Sequence, residues 1–256
     1  MISDPMFYAV AIPAVILLGL SKGGFTGFGM LSMPLLALVI PPIHGASIIL
    51  PILIVQDAVG VWVYRREWDR RNMAILLPGA MIGIVLGYVF AARVSDAAIA
   101  FAVGVISVTF GGRRLLIERR GGGRTAARAG VPAGLLWGGI SGFTSMIANA
   151  GAPPFQVYVI PQRLPKELFV GTGILFFAIM NWIKLPFFIA LGQLDHGSLM
   201  TSFALFPLAI ASTWAGVILV RKVPAERFFT LIYVLLIAVG LKLLWDGRGL
   251  FLELMP

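Results

Sequence analysis

Three ionisable residues interrupt stretches that are otherwise apolar. They are Lys22 in Gly19-Leu-Ser-Lys-Gly-Gly-Phe25, Asp57 in Ile54-Val-Gln-Asp-Ala58, and Lys184 in Asn181-Trp-Ile-Lys-Leu-Pro186. A charge surrounded by hydrocarbon is costly and marks function by default. Lys22 and Lys184 read as cations that can hold an anion, and Asp57 as a carboxylate that can carry a coupling proton. Asp57 and Lys184 are expected to lie near each other. Lys22 also abuts a glycine-rich stretch, Ser21-Lys-Gly-Gly-Phe-Thr-Gly-Phe-Gly29, and a second stretch of this kind runs from Ser141 through Asn149 to Gly151-Ala-Pro-Pro154.

Such stretches break helices. A helix that restarts inside a membrane leaves its first N–H groups unpaired, with a partial positive charge that suits an anion. The restarts are expected near Gly29-Met30-Leu31 and near Gly151-Ala152-Pro153, where proline suits the first helical turn. The candidate substrate-binding set is therefore Ser21, Lys22, Gly23, Gly24, Phe25, Thr26, Gly27 and Gly29 in the first stretch. In the second it is Thr144, Ser145, Asn149, Gly151, Pro153 and Gln156, with Lys184 added and Asp57 as the coupling residue. Glycine allows close backbone approach to a ligand, although small residues also serve plain helix packing in membranes.

The elements that must position these residues are membrane helices. The chain of 256 residues is 59% hydrophobic and 12% charged, about half the charge of a typical soluble domain, and its mean hydropathy is +0.95. Residues 23–56 and 129–162 contain no Asp, Glu, Lys or Arg. Straight helices of that length would reach about 50 Å, against a hydrocarbon core of about 30 Å. Each run must therefore bend or break, and each contains a glycine cluster followed by proline.

Basic residues give the orientation. Fifteen of the twenty lie at 65–71, 113–128, 163–166 and 221–227, whereas 41–44 and 191–197 have none. The positive-inside rule places the four clusters in the cytoplasm and the sparse segments outside. Following the chain with these assignments makes 5–41 a hairpin entered from outside and 132–162 a hairpin entered from inside. Each is followed by three spans. The fold class is thus an all-α polytopic membrane protein of two inverted-topology repeats, with 8–10 membrane segments. The first repeat is 1–118, the second 132–256, and 119–131 is a basic, glycine-rich cytoplasmic linker. Internal similarity supports the duplication: Pro34-Leu-Leu-Ala-Leu-Val-Ile-Pro41 matches Pro154-Phe-Gln-Val-Tyr-Val-Ile-Pro161, and Gly87, Val94, Gly111 and Leu115 match Gly216, Val223, Gly240 and Leu244. Inverted halves are expected to bring the two broken tips together near the midplane.

Several classes are excluded or demoted. The net charge of +9 reflects the cytoplasmic loops, not a nucleic-acid surface. Cysteine is absent, so no disulfide or thiolate site exists, and no metal-ligand or nucleophile–base spacing is present. An enzyme is not expected. No cofactor is expected beyond a coupling ion, H⁺ or Na⁺. Partners are the bilayer and a small anion. His44 and His196, at loop edges, read as interfacial residues, and Trp62, Trp68 and Trp245 as belt anchors. The start Met1-Ile-Ser-Asp-Pro5 lacks the basic region of a signal peptide. No oligomeric state follows from these features.

The run Gly19-Leu-Ser-Lys-Gly-Gly-Phe-Thr-Gly-Phe-Gly-Met-Leu-Ser-Met-Pro34 resembles the first signature of the sulfite exporter TauE/SafE family. Gly142-Phe-Thr-Ser-Met-Ile-Ala-Asn-Ala-Gly-Ala-Pro-Pro154, followed by Ile160-Pro-Gln-Arg-Leu-Pro-Lys-Glu167, resembles the second. The chain departs from the family's commoner glycine triplets at Gly27-Phe28-Gly29 and Ala148-Asn149-Ala150-Gly151. The resemblance covers nearly the whole chain. It implies a bacterial inner-membrane permease for sulfite, sulfonates or other organic anions. Alternating access at a midplane site is the expected mode, and an anion channel on the same site is the alternative.

Overall fold

The structure is a computed structural model that describes residues 2, 4–25, 28–36, 39–40, 42–90, 96–119, 130–149, 151–190 and 196–248. Among them the chain is helical, with no β-strand. The helices are α1 (Pro5–Gly23), α2 (Ser32–Leu36), α3 (Pro42–Tyr64), α4 (Arg70–Phe90), α5 (Asp96–Arg119), α6 (Val131–Ala148), α7 (Ala152–Val159), α8 (Lys166–Ala190), α9 (His196–Lys222) and α10 (Ala225–Asp246), with 3-10 turns at Phe28–Leu31 and Ile160–Gln162. Helices α1, α4, α8 and α9 are long and apolar enough to cross a bilayer. Helices α3, α5 and α10, at 23, 24 and 22 residues, also have spanning length. The all-α membrane class expected from the sequence is the one the chain adopts.

Two compact units form. The first holds Met1–Trp68 and Val170–Pro224, and the second holds Asp69–Phe169 and Ala225–Pro256. Each draws helices from both halves of the sequence.

In the first unit α1 starts at Asp4, whose carboxylate accepts from the Met6 N–H, with Pro5 in the first turn, an arrangement that suits a helix start. Helix α1 packs on α9 in parallel. Gly23 lies so close to Gly216 that a Cβ on either would strike the other's backbone, and Gly24 lies against Val220. Lipid gives apolar helices no hydrophobic drive to associate, so such close backbone packing supplies the attraction. Helix α3 also runs parallel to α1: Gln56 donates to the Val15 carbonyl and Tyr64 to the Gly23 carbonyl. Phe7, Val15, Leu18, Ile48, Ile52 and Leu205 are among the residues of the apolar core between these helices. The Ser202 hydroxyl spends its donor on the Ile48 carbonyl at 2.8 Å.

In the second unit α4 and α6 pack in parallel. A Cβ on Gly83 would overlap the Gly139 carbonyl, and one on Gly142 the Ala80 carbonyl. Gly104 and Gly240 bring α5 and α10 together in the same way. Near the start of α4, the Asn72 and Gln162 side-chain amides exchange two hydrogen bonds of 2.9 Å.

Candidate anion site

The first break falls where the glycines predict it. Helix α1 stops at Gly23, and Gly24 follows at φ 135°, a conformation that a side chain would strain. The carbonyls at the end of the helix are tied off. The Gly24 N–H donates to the Ser21 carbonyl at 3.1 Å, the Phe25 N–H to Leu20 at 3.0 Å, and the Tyr64 hydroxyl to Gly23 at 3.1 Å. These bonds satisfy carbonyls that a helix end leaves open. The chain resumes in the turn at Phe28–Leu31 and doubles back. Gly29 packs on Ser21 and Leu18, and the Ser32 hydroxyl donates to the Ala14 carbonyl at 2.9 Å. Phe25 is buried, its ring 5.9 Å from that of Phe28. Thr26 and Gly27 lie outside the described residues.

Along the helix axes this break is level with Tyr64 and Val220. Those residues stand directly before the basic pairs Arg65-Arg66 and Arg221-Lys222. The break is therefore at the basic end of the first unit. Helix α1, with 19 residues, is about 28 Å long and close to a full crossing.

The charged residues lie deeper than the break. Helical side chains lean toward the N-terminus of their helix, so Lys22 points back into the unit. Its Nζ meets Asp57 Oδ1 at 2.5 Å. The other carboxylate oxygen, Oδ2, accepts from Asn181 Nδ2 at 2.6 Å. Lys184 is buried, with 1% of its surface exposed, and lies within electrostatic reach of both Lys22 and Asp57. The Phe177 ring centroid is 5.8 Å from Lys22 Nζ. Phe177, Asn181 and Lys184 follow the four-then-three spacing of one helix face. Beside Asp57, the amide of Gln56 is buried; among the described residues its Oε1 has no partner.

Lys22, Asp57 and Asn181, from three helices, thus form one bonded cluster, with the buried Lys184 within electrostatic reach. Its formal charge is one positive: two ammonium groups against one carboxylate. The sequence singled out Lys22, Asp57 and Lys184, and the structure brings all three together. It did not single out Asn181, Gln56 or Tyr64. The spacing of Asn181 one turn before Lys184 was the available signal for the first of these.

The second break also falls where expected. Helix α6 ends at Ala148, and Asn149 takes the left-handed conformation at φ 50°, its N–H bonded to the Thr144 carbonyl. Helix α7 restarts after Gly151. The Ser141 hydroxyl donates to the Gly151 carbonyl at 2.7 Å, and the Thr144 hydroxyl to Ile140 at 2.8 Å, so both donors are spent on backbone. Thr144, Ser145, Pro153 and Gln156 are buried. Residues 153 and 154 of the first turn are both proline and lack an N–H. That removes two of the donors an anion would use at this restart, and the first restart is a four-residue turn with a small dipole. The 131–162 stretch contains no lysine or arginine. Among the candidates the full positive charges are on the side chains of Lys22 and Lys184, whereas a helix end carries only a partial one.

His196, Trp62 and Trp245 are exposed, as interfacial residues would be; the side chain of His44 is outside the described set. Among the described residues no group of His, Asp and Glu has a metal-binding arrangement.

The family model described as sulfite exporter TauE/SafE matches residues 11–243. No curated protein matches the chain, and neither does any solved structure.

Proposed function

The chain belongs to the sulfite exporter TauE/SafE family of membrane transporters, and on that premise we propose that it is a secondary transporter of a small sulfur-containing or organic anion. Sulfite and sulfonates are the substrates in view, and the bacterial cytoplasmic membrane is the location. The observation that supports this reading is the cluster of the half-buried Lys22 with the buried Asp57, Asn181 and Lys184, with one more cation than anion. Charges attract strongly where water is excluded, and a buried excess of positive charge favours an anionic guest. Asp57 pairs with Lys22. An entering anion takes over that ammonium, with Lys184 as its second cation. The Asn181 amide supplies a neutral donor. Alternating access opens this cluster to one side of the membrane at a time, with Asp57 as the coupling carboxylate.

Counterflow in proteoliposomes tests the proposal. Vesicles loaded with unlabelled sulfite should accumulate labelled sulfite transiently, with saturation. Lys22→Gln should lower the initial rate about tenfold or more, the loss expected for one charge-assisted contact. Purely downhill, non-saturating flux would assign an anion channel instead. Flux of sulfite and of sulfonates equal to that of protein-free vesicles would overturn the reading.

A further inference from the structure

The charge balance of the cluster carries a prediction about which anions it accepts. We propose that the site sorts anions by charge: a monoanion enters alone, and a dianion enters together with one additional proton, held on Asp57. This inference rests on the anion-transport reading above and deepens it.

The groups facing Asp57 can be named element by element among the described residues. Helix α1 supplies Lys22, and α8 supplies Asn181 and Lys184. Helix α3 itself adds the neutral Gln56 beside it. Helix α9 packs on α1 and α3, but its His196, Arg221 and Lys222 lie at its ends and are exposed. The stretch 28–36 contains no charged residue. Two ammonium groups and one carboxylate leave a formal charge of one, which a single monoanion cancels.

A dianion held by Lys22 and Lys184 would leave a net negative charge beside an ionised Asp57. An uncompensated buried charge is removed most readily by protonation. The two carboxylate oxygens have separate partners, and this makes the step local. Protonation at Oδ1 dissolves the ion pair with Lys22 and frees that ammonium for the anion. Oδ2 keeps the hydrogen bond from Asn181, since the carbonyl oxygen of the acid still accepts, more weakly than the carboxylate. The proton comes from the aqueous phase, and no other bond is made or broken.

Titration calorimetry on the purified full-length protein tests this, run in two buffers of different ionisation enthalpy to count protons taken up. Methanesulfonate and sulfate serve as probes, since neither titrates near neutral pH. Sulfate should take up about one proton more than methanesulfonate. Its affinity relative to methanesulfonate should therefore rise about tenfold for each unit that the pH falls. An extra proton held on Lys184 instead of Asp57 would persist in Asp57→Asn, and that outcome would overturn the assignment. Asp57→Asn should abolish the difference and shift preference toward sulfate, because the site then carries two positive charges. Should that variant not fold, the wild-type comparison still decides whether a dianion brings one more proton than a monoanion. Equal proton uptake with both probes binding would overturn the charge-sorting inference and leave the transporter reading standing. If neither probe, nor sulfite, bound at all, both would fall.

Discussion

At the scale of residues, Lys22 and Asp57 form a pair that cannot be taken apart cheaply. Lys22 and Asp57 are bonded at 2.5 Å inside the first unit. Removing one partner of a buried pair leaves an uncompensated charge and costs about 3–5 kcal/mol, whereas removing both can be nearly neutral. Lys22→Gln alone should therefore lower the thermal midpoint of the detergent-solubilised protein. The double change, Lys22→Gln with Asp57→Asn, should recover most of that loss. Transport should not recover with it, because the cation proposed to hold the substrate is gone in both. If the double variant transported as well as wild type, the pair would be structural only. The sequence revealed these two residues because each is a charge in an apolar run. Their pairing was not legible, since it needs α1 and α3 to run parallel over 35 residues of separation. Asn181 was missed for another reason: a neutral amide does not interrupt a run read by its charges, and its spacing one turn before Lys184 gains meaning only from its hydrogen bond to Asp57.

At the scale of elements, glycine does two separate jobs. Gly24 ends α1 through a conformation that other residues avoid, whereas Gly23 permits the contact with Gly216. A Cβ at Gly23 has no flexible side chain to push aside, only backbone. Gly23→Val should therefore destabilise the first unit by more than the roughly 1–3 kcal/mol of ordinary overpacking. Gly112 on α5 has open space around it, and Gly112→Ala should be neutral or slightly stabilising, since alanine favours the helix. Melting curves of the two variants side by side check this, and equal effects would contradict the packing assignment. Both breaks were legible because glycine and proline act locally on the backbone. Their depth was not. The expectation placed the tips near the midplane, but contacts put Gly24 beside Val220, at the basic end. In the second unit, Gly87 near the end of α4 meets Met146 just before the Asn149 break. Depth depends on which helices pack together and in what register, and no local pattern encodes that.

At the scale of the whole molecule, helix direction and charge distribution can be tested against each other. In the first unit α1 and α9 are parallel, and the Ile2 N–H donates to the Thr201 hydroxyl at 3.1 Å. The starts of these helices therefore share one side. Their ends share the other, where Arg221-Lys222 follow α9. In the second unit α4 and α6 are parallel, so Arg70-Arg71 and Gly130 share a side. Under the alignment of the two halves, α1 corresponds to α6 and α9 to α4. Both corresponding pairs are thus close-packed and parallel within their own unit, a pattern compatible with duplication. The positive-inside rule then predicts that residue 2 and the 191–197 segment are external and the 119–131 linker is cytoplasmic. The chain contains no cysteine, so single introduced thiols can be read without background. Ile2→Cys and Gln193→Cys should react with a membrane-impermeant maleimide on intact cells. Arg124→Cys should react only in inverted vesicles or after permeabilisation. Labelling of Arg124→Cys from the same side as Gln193→Cys would remove the odd number of crossings between them, and the inverted arrangement of the halves would fall with it.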